Sequence, residues 1–242
     1  MDTSQFLPPL IQGAWITVQL TFYSTILGGL LSFVFGIGRL SHLRVVRYIS
    51  VAYIEVFRGT SLLVQLFWLF FALPLLGEPL AHLVAHAIPG YQPNVDAWGE
   101  AFRLEPVTAG VLALALNIGA YGAEVVRGAI QAVPKDQYEA ARALNFTPRQ
   151  ALWWIALPQA VVEMMPPFGN LAVQNLKDTA LVSLITLSDL AFKAEQMRNL
   201  TQQSVPIYTL TLFLYFGLAL VLMAVMRLVE RRVSRWARVG GR

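Results

Sequence analysis

Long stretches without any charged residue alternate along the chain with short charged segments. The four longest uncharged stretches cover residues 3–38, 59–77, 106–123 and 199–226. A helix of about 20 apolar residues crosses the ~30 Å hydrocarbon core of a bilayer. None of these stretches alternates apolar and polar residues as the strands of a membrane barrel do. The pattern therefore predicts an all-α, polytopic membrane protein.

A fifth helix is predicted between residues 160 and 195, where the hydrophobic signal is weaker. Lys177 and Asp178 are adjacent there, and two prolines at 166 and 167 would kink or start a helix. A charge at mid-membrane costs about 2.5–3.5 kcal/mol, so neighbouring helices should shield this one from lipid. A cytoplasmic or re-entrant segment is the alternative. The expected spans lie at about 13–38, 58–77, 106–127, 164–190 and 203–227.

Basic residues are concentrated on one side of these spans. They cluster after the first span, after the third, and in six arginines from Arg227 to Arg242. Residues 78–105 carry one arginine against four carboxylates. Because basic loops stay in the cytoplasm, the N-terminus is predicted outside, the C-terminus inside, and 78–105 as an external loop.

Small residues recur at four-residue spacing within the first and third spans. Ser32 and Gly36 form one such row, and Ala115, Gly119 and Ala123 form the other. Rows of this kind let the backbones of two helices approach closely. They indicate where the bundle packs, and they carry no information on function.

Composition limits the chemistry that the chain can perform. It is 56% hydrophobic and 13% charged, and it contains no cysteine, which excludes disulfides and thiolate metal sites. His82 and His86 have i,i+4 spacing, but no HExxH pattern surrounds them, so no metal site is predicted. No phosphate-binding G-x4-GK-[ST] loop occurs, so the chain is not expected to bind ATP itself.

Residues 134–158 are a partly polar interruption between two predicted spans. Asn145 lies where a residue in the left-handed conformation would end a first short helix. Thr147 and Gln150 have the spacing of a capping box that starts a second helix, and Pro158 is expected to end it. The sequence thus predicts two short helices joined by a tight bend on the cytoplasmic face.

Such a bend admits more than one interpretation. A DNA-binding helix-turn-helix is disfavoured by the position between spans and by the lack of a basic recognition helix, so no nucleic-acid partner is expected. An inert amphipathic loop on the membrane surface and a docking element for another protein both stay open. Ala140 and Ala141 would present a smooth ridge to a partner, and Glu139 would offer one directed charge.

The same residues resemble a known signature. Permease subunits of ATP-binding-cassette importers carry the pattern EAA-x3-G-x9-I-x-LP, and this chain has EAA at 139–141, Asn145 in place of the glycine, and IALP at 155–158. Further segments are similar to the polar amino-acid branch: IEVFRGTSLLVQLF (54–67), LNIGAYGAEVVRGAIQAVPKDQYEAARAL (116–144), LPQAVVEMMPPFGNL (157–171) and LKDTALVSLI (176–185). Within that branch, RGTSLLVQLFW and the ALN variant of the signature look like permeases for ectoine and hydroxyectoine.

The resemblance implies a type I importer half with five transmembrane helices in a bacterial inner membrane. It implies cytoplasmic ATPase subunits that bind ATP and Mg, a second permease subunit, identical or different, and an external solute-binding protein. It assigns coupling to the ATPase to the signature positions Glu139, Ala140, Ala141, Asn145 and Pro158.

Polar residues inside the predicted spans are the candidates for a solute pathway, because charge at that depth normally faces a water-filled path. On the third helix, Asn117, Tyr121 and Glu124 recur at i, i+4 and i+7, which is one face. The other candidates are Arg58, Thr60 and Gln65 at the start of the second span, and Lys177, Asp178 and Thr179 in the fourth.

The predicted function is that of a permease subunit, and not an enzyme, for polar amino acids or related zwitterionic compatible solutes. A zwitterion needs both signs of charge nearby, and Glu124 with Lys177 or Asp178 would supply them. Pairs that only hold helices together, such as Glu124 with Arg127, are the alternative. Two other classes stay open: an intramembrane enzyme, for which no histidine or cysteine lies in the spans, and a stand-alone channel, which would not need the bend.

Overall fold

The computed structural model describes residues 6–88 and 94–239, and no strand occurs within them. In chain order the α-helices are α1 (Leu7–Arg39), α2 (Arg44–Gly59), α3 (Leu62–Phe67), α4 (Gly77–Ala87), α5 (Val95–Ala101), α6 (Pro106–Ala132), α7 (Lys135–Ala143), α8 (Pro148–Ala151), α9 (Leu157–Asp178), α10 (Leu190–Thr201) and α11 (Ser204–Val239). Short π-helical turns cover Trp68–Ala72 and Leu152–Ala156, and 3-10 turns cover Leu73–Leu76 and Thr179–Ile185. The all-α fold class is confirmed.

Four helical stretches of the described chain are long and apolar enough to cross a membrane. They are Leu7–Arg39, Leu62–Val84, Pro106–Ala132 and Ser204–Arg235, and each overlaps one of the long uncharged stretches of the sequence. The remaining long helix, α9, has 22 residues and carries Glu163, Lys177 and Asp178, which lower its hydropathy. A fifth crossing by α9 stays a prediction.

The centre of the bundle is the contact between α1 and α6, which run in the same direction. A Cβ atom built at Gly36 would lie 2.7 Å from the carbonyl oxygen of Ala123, so the two backbones are as close as glycine allows. The hydroxyl of Ser32 donates to the carbonyl of Gly119 across the same interface at 3.3 Å. The small-residue rows predicted in the first and third spans therefore meet each other.

The second crossing differs from its predicted span at 58–77. The preceding helix α2 packs against the C-terminal end of α1 and the middle of α6: Ser50 lies against Gly38, and the hydroxyl of Tyr53 donates to the carbonyl of Leu116 at 2.7 Å. Thr60 and Ser61 are extended, with ψ of 154° and 136°, and they separate α2 from α3. The crossing is therefore a broken helix, with the break beside the middle of α6.

The segment predicted as an external loop, 78–105, contains helices where the structure describes it. Within the described residues, α4 and α5 form a helical hairpin in which Gly77 approaches Gly99 closely. His82 and His86 lie on α4, and the described chain holds no group of three or more residues able to bind a metal ion. The predicted fourth span, 164–190, ends earlier as an α-helix, at Asp178, and a 3-10 turn follows it.

The substitution Gly36→Ala is expected to destabilise the protein by about 1–3 kcal/mol, because its methyl group would overlap the backbone of α6. Gly29→Ala is the matched control on the same helix, since a Cβ there meets nothing within 4 Å. Thermal unfolding of the detergent-purified protein measures both. Equal melting temperatures would contradict the close approach of α1 and α6.

Candidate functional site

A cavity of about 440 Å³ opens at the break between α2 and α3, with α6 and α9 as its other walls. The break exposes backbone and places short side chains at the opening, while the two long helices supply the larger ones. The polar lining residues are Thr60, Ser61, Asn117, Tyr121, Gln174, Asn175 and Asp178. The apolar lining residues are Leu62, Leu114, Ile118 and Leu171.

Two amide side chains stabilise the break itself. Gln65 is buried, with 7% of the residue exposed. Its amide nitrogen donates to the carbonyl of Phe57 at 2.9 Å and to the hydroxyl of Thr60 at 2.8 Å. Asn117 donates to the same Phe57 carbonyl and to the side-chain oxygen of Gln65, both at 3.2 Å. A carbonyl freed by the end of α2 is thus satisfied by side chains from α3 and α6, as a buried backbone group requires.

The wall formed by α9 was only partly predicted from the sequence. The amide of Asn175 donates to the hydroxyls of Ser24 at 2.7 Å and Thr25 at 2.9 Å, which fixes α9 against α1. Asp178 accepts from the amide of Gln174 at 2.9 Å and is the acidic group among the lining residues. The signal for Gln174 and Asn175 was available, because both lie within one helical turn of the predicted residue Asp178.

Glu124 belongs to an ionic cluster and does not line the cavity. Its carboxylate is paired with Arg39 at the end of α1 and with Arg127, whose Nη2 lies 2.8 Å away. Glu124 and Arg127 form an ion pair within α6, whereas the pair of Glu124 with Arg39 joins α6 to α1, and Glu124 is not brought to Lys177 or Asp178. Arg39 went unrecognised in the sequence because its partner is 85 residues away.

The cavity gathers some of the predicted pathway residues and leaves others out. The predicted residues that line it are Thr60, Asn117, Tyr121 and Asp178. Gln65 is not in the lining but accepts a hydrogen bond from Asn117, which is. Arg58 lies in the last turn of α2 and not at the start of a span, and its guanidinium is 5.5 Å from the centre of the Tyr121 ring. Lys177 and Thr179 are also outside the lining: Lys177 is exposed, and Thr179 is buried and donates to the carbonyl of Leu176 at 2.7 Å.

The bend after α7 has the geometry that the sequence predicted. Asn145 has a φ of 59°, in the left-handed region. Its amide donates to the carbonyl of Arg142 at 2.9 Å, and the amide of Phe146 donates to the carbonyl of Ala141 at 3.0 Å. These two bonds form a Schellman motif, the usual end of a helix at a left-handed residue. The capping box of Thr147 and Gln150 is also confirmed.

Pro158 does not end the second short helix, contrary to the prediction. The helical path continues from α8 through the π-turn Leu152–Ala156 into α9, where Pro158 occupies the first turn. A proline inside a helix lacks the amide for an i→i−4 bond and crowds the preceding turn. The wider π-turn just before it gives the ring room, so the helix continues instead of breaking.

The bend is tied to both helices that wall the cavity. The hydroxyl of Tyr138 on α7 donates to the carbonyl of Ile130 on α6 at 3.2 Å, and burial raises the pKa of this phenol. Gln159 on α9 donates to the side chain of Gln137 at 3.4 Å. Of the signature residues, Glu139 and Ala140 are exposed, whereas Ala141 is fully buried. Glu139 and Ala140 therefore form an exposed ridge, and the buried Ala141 next to them packs into the protein.

Asn145→Val is expected to destabilise the bend by about 1–2 kcal/mol, because a β-branched residue resists the left-handed conformation. Asn145→Gly should preserve it. Hydrogen exchange of the amides of residues 145 and 146 should accelerate in the valine variant alone. Equal exchange in both variants would show that the backbone conformation at this position does not hold the bend together.

Comparisons with known proteins agree with this architecture. The profile of the family described as "Binding-protein-dependent transport system inner membrane component" matches residues 26–235. A probable amino-acid ABC transporter permease of Sinorhizobium fredii is 58% identical over 98% of this chain and 92% of its own length. The L-cystine transport system permease of Bacillus subtilis is 34% identical over 96% and 89%, respectively.

Solved structures give the same result. A chain in the crystal structure of an amino acid ABC transporter with histidines matches with a TM-score of 0.77 and 31% identity, over 95% of this chain and 96% of that one. The resemblance to permease subunits of ATP-binding-cassette importers is thereby confirmed. The chain belongs to the family of binding-protein-dependent transport system inner membrane components, and it is a membrane-embedded permease subunit rather than an enzyme.

Proposed function

We propose that the chain is the permease subunit of an ATP-driven importer for polar amino acids, and that the cavity at the helix break receives the solute. The observation that carries this proposal is the polar lining of the cavity at the middle of a spanning bundle. Polar groups at such depth are costly unless they face a water-filled path. A volume of about 440 Å³ lies within the usual range for small-molecule sites.

The lining offers partners for both charges of an amino acid. Asp178 can accept hydrogen bonds from an α-ammonium group, and the hydroxyl of Ser61 can donate to a carboxylate. The guanidinium of Arg58 lies close to the cavity, because it contacts the ring of Tyr121, which lines the cavity. The printed names of the relatives support this class of solute, since one is an L-cystine permease and another a glutamine permease of Escherichia coli.

Ectoine and hydroxyectoine are a narrower hypothesis for the same cavity. Both are small zwitterions, so the same arrangement of carboxylate and hydroxyl groups would serve them. The similarity of the segment at 58–68 to permeases for these compounds favours their inclusion in any panel of solutes. The panel must therefore contain both polar amino acids and these compatible solutes.

A second permease subunit, identical or different, is proposed to cover the open side of the cavity. The side chains of Tyr121, Gln174 and Lys177 are exposed in the single chain, although they lie along spanning helices. Such groups are not stable against lipid tails. Another polar protein surface must face them, and the two surfaces together would enclose the path.

Coupling to a cytoplasmic ATPase is proposed to act through the bend at Asn145. ATP and Mg would be bound by the ATPase, which grips the exposed ridge around Glu139 and Ala140. A displacement of the bend would then reach α6 through the contact of Tyr138 with Ile130, and α9 through its continuous helical path. Because these two helices wall the cavity, closing of the ATPase would change access to the solute. An external binding protein would deliver the solute, with the N-terminus outside and the C-terminus inside.

Asp178→Asn is expected to reduce solute uptake at least ~10-fold, because it removes the carboxylate of the lining. Uptake of labelled polar amino acids and ectoines would be measured in cells that lack their own transporters for these solutes. Glu195→Gln, an exposed carboxylate outside the cavity, is the charge-matched control. Undiminished uptake by the Asp178 variant would refute the cavity as the solute site, and uptake without ATP would favour a channel.

Glu139→Arg is expected to abolish capture of the ATPase by affinity pull-down while leaving membrane insertion intact, because it reverses the charge of the exposed ridge. Glu100→Arg, an exposed carboxylate on the predicted outer side, serves as the control and should capture the ATPase normally. If both variants captured it equally, the ridge would not be the docking surface.

A further inference from the structure

An apolar groove of about 380 Å³ lies on the other side of the bundle, between α1, α9 and α11. On α1, Val18, Phe22 and Ile26 follow one another at four-residue spacing along its wall. On α11, a matching row of apolar residues with the same spacing starts at Leu218 and ends at Met226. Two helices that run in the same direction thus present matching apolar faces that do not meet.

The groove is closed at its outer end and open towards its inner end. At the outer end, α10 lies between the two helices, and Leu190 is buried with Leu10 and Ile207. Further inward, the described lining comes from α1, α9 and α11 alone. Gly29 shares the helical face of Ile26 one turn further along, and a Cβ there would meet nothing within 4 Å. The space therefore continues towards the inner end of α1.

The lining offers little to a polar ligand, because its two hydroxyls each already take part in a hydrogen bond. The hydroxyl of Thr21 donates to the carbonyl of Thr17 at 2.8 Å, and that of Thr25 accepts from Asn175 at 2.9 Å. Both threonines therefore bring an engaged hydroxyl to an otherwise hydrocarbon surface. A polar solute would lose its water here without compensation, whereas a hydrocarbon chain would not.

The groove and the polar cavity open on different faces of α9. Ala172 and Leu176, four residues apart and so on one face, line the groove, while Gln174, Asn175 and Asp178 line the cavity. A second permease subunit that covers the cavity would consequently leave the groove facing the lipid.

Positive charge continues the groove at its inner end. Four exposed arginines follow Met226 on α11, at positions 227, 231, 232 and 235. Arg232 is seven residues after Val225 of the lining and so lies on the groove face. Arg227 is two residues after Val225 and lies on the opposite face of α11. Arg232 is ~9 Å beyond Met226 along the axis. If the acyl chain of a lipid occupied the groove, the phosphate of its headgroup would lie at the level of Arg232.

We propose that this groove is a binding site for one anionic phospholipid, with an acyl chain between α1 and α11 and the phosphate at Arg232. The apolar lining selects a hydrocarbon chain, and the arginine on the same face selects a negatively charged headgroup. This inference depends on the membrane embedding of the chain and on the side that a second subunit covers. It does not depend on which solute the cavity receives.

The test is native mass spectrometry of the full-length permease, released from nanodiscs that contain equal phosphatidylglycerol and phosphatidylcholine. The wild type is expected to retain phosphatidylglycerol about fivefold over phosphatidylcholine. Arg232→Gln should remove this preference, and Arg227→Gln, on the opposite face, should keep it. Gly29→Leu should lower retention of both lipids by filling the groove. Gly128→Leu, on α6 and outside the groove at another glycine with open space around it, should not.

Three results would overturn the proposal. The first is equal retention of the two lipids by the wild type, and the second is an equal loss of preference in both arginine variants. The third is efficient cross-linking of two permease copies through Leu222→Cys, a lining position of the groove. That outcome would show that the groove is covered by protein. Insertion and monodispersity of every variant confirm folding before the lipids are counted.

Discussion

A helix that breaks inside a membrane leaves backbone carbonyls and amides that lipid cannot satisfy. This constraint governs the centre of the molecule, because the second crossing is interrupted at Thr60 and Ser61. Gln65 and Asn117 satisfy the carbonyl of Phe57, and they can do so only if α3 and α6 lie side by side at that height. The close packing of α1 on α6 in turn fixes α6. The polar cavity is a direct result, since a break needs polar neighbours and those neighbours shape its walls.

The local features of the chain were predictable, because short-range rules decide them. Uncharged stretches marked the four apolar helices, and the left-handed Asn145 with the capping box at Thr147 followed from turn and cap chemistry. These elements depend on neighbours a few residues away. The small-residue rows were also predictable, because residue size alone makes them the points of closest contact between two helices.

Most features that were not predicted from the sequence depend on contacts with residues that are distant along the chain. No helix was assigned to residues 44–59 from the sequence, yet α2 forms there and Tyr53 on its buried side packs against α6. Glu124 was assigned to the pathway because its cation at the end of α1 is invisible without the fold. Pro158 was expected to stop a helix, and only the π-turn before it explains why the helix continues. For α2 and Glu124 tertiary contact decided the outcome, whereas for Pro158 a local change of helix type did.

The residue at the bend has a further mechanical consequence. A glycine there would sample both hands of backbone conformation freely, whereas Asn145 carries a side chain that narrows its range. The angle between the two short helices should therefore vary less than it would with a glycine at this position. A displacement of one short helix would then be transmitted to the other with little loss. A protein that binds this bend would consequently move the spans attached to it.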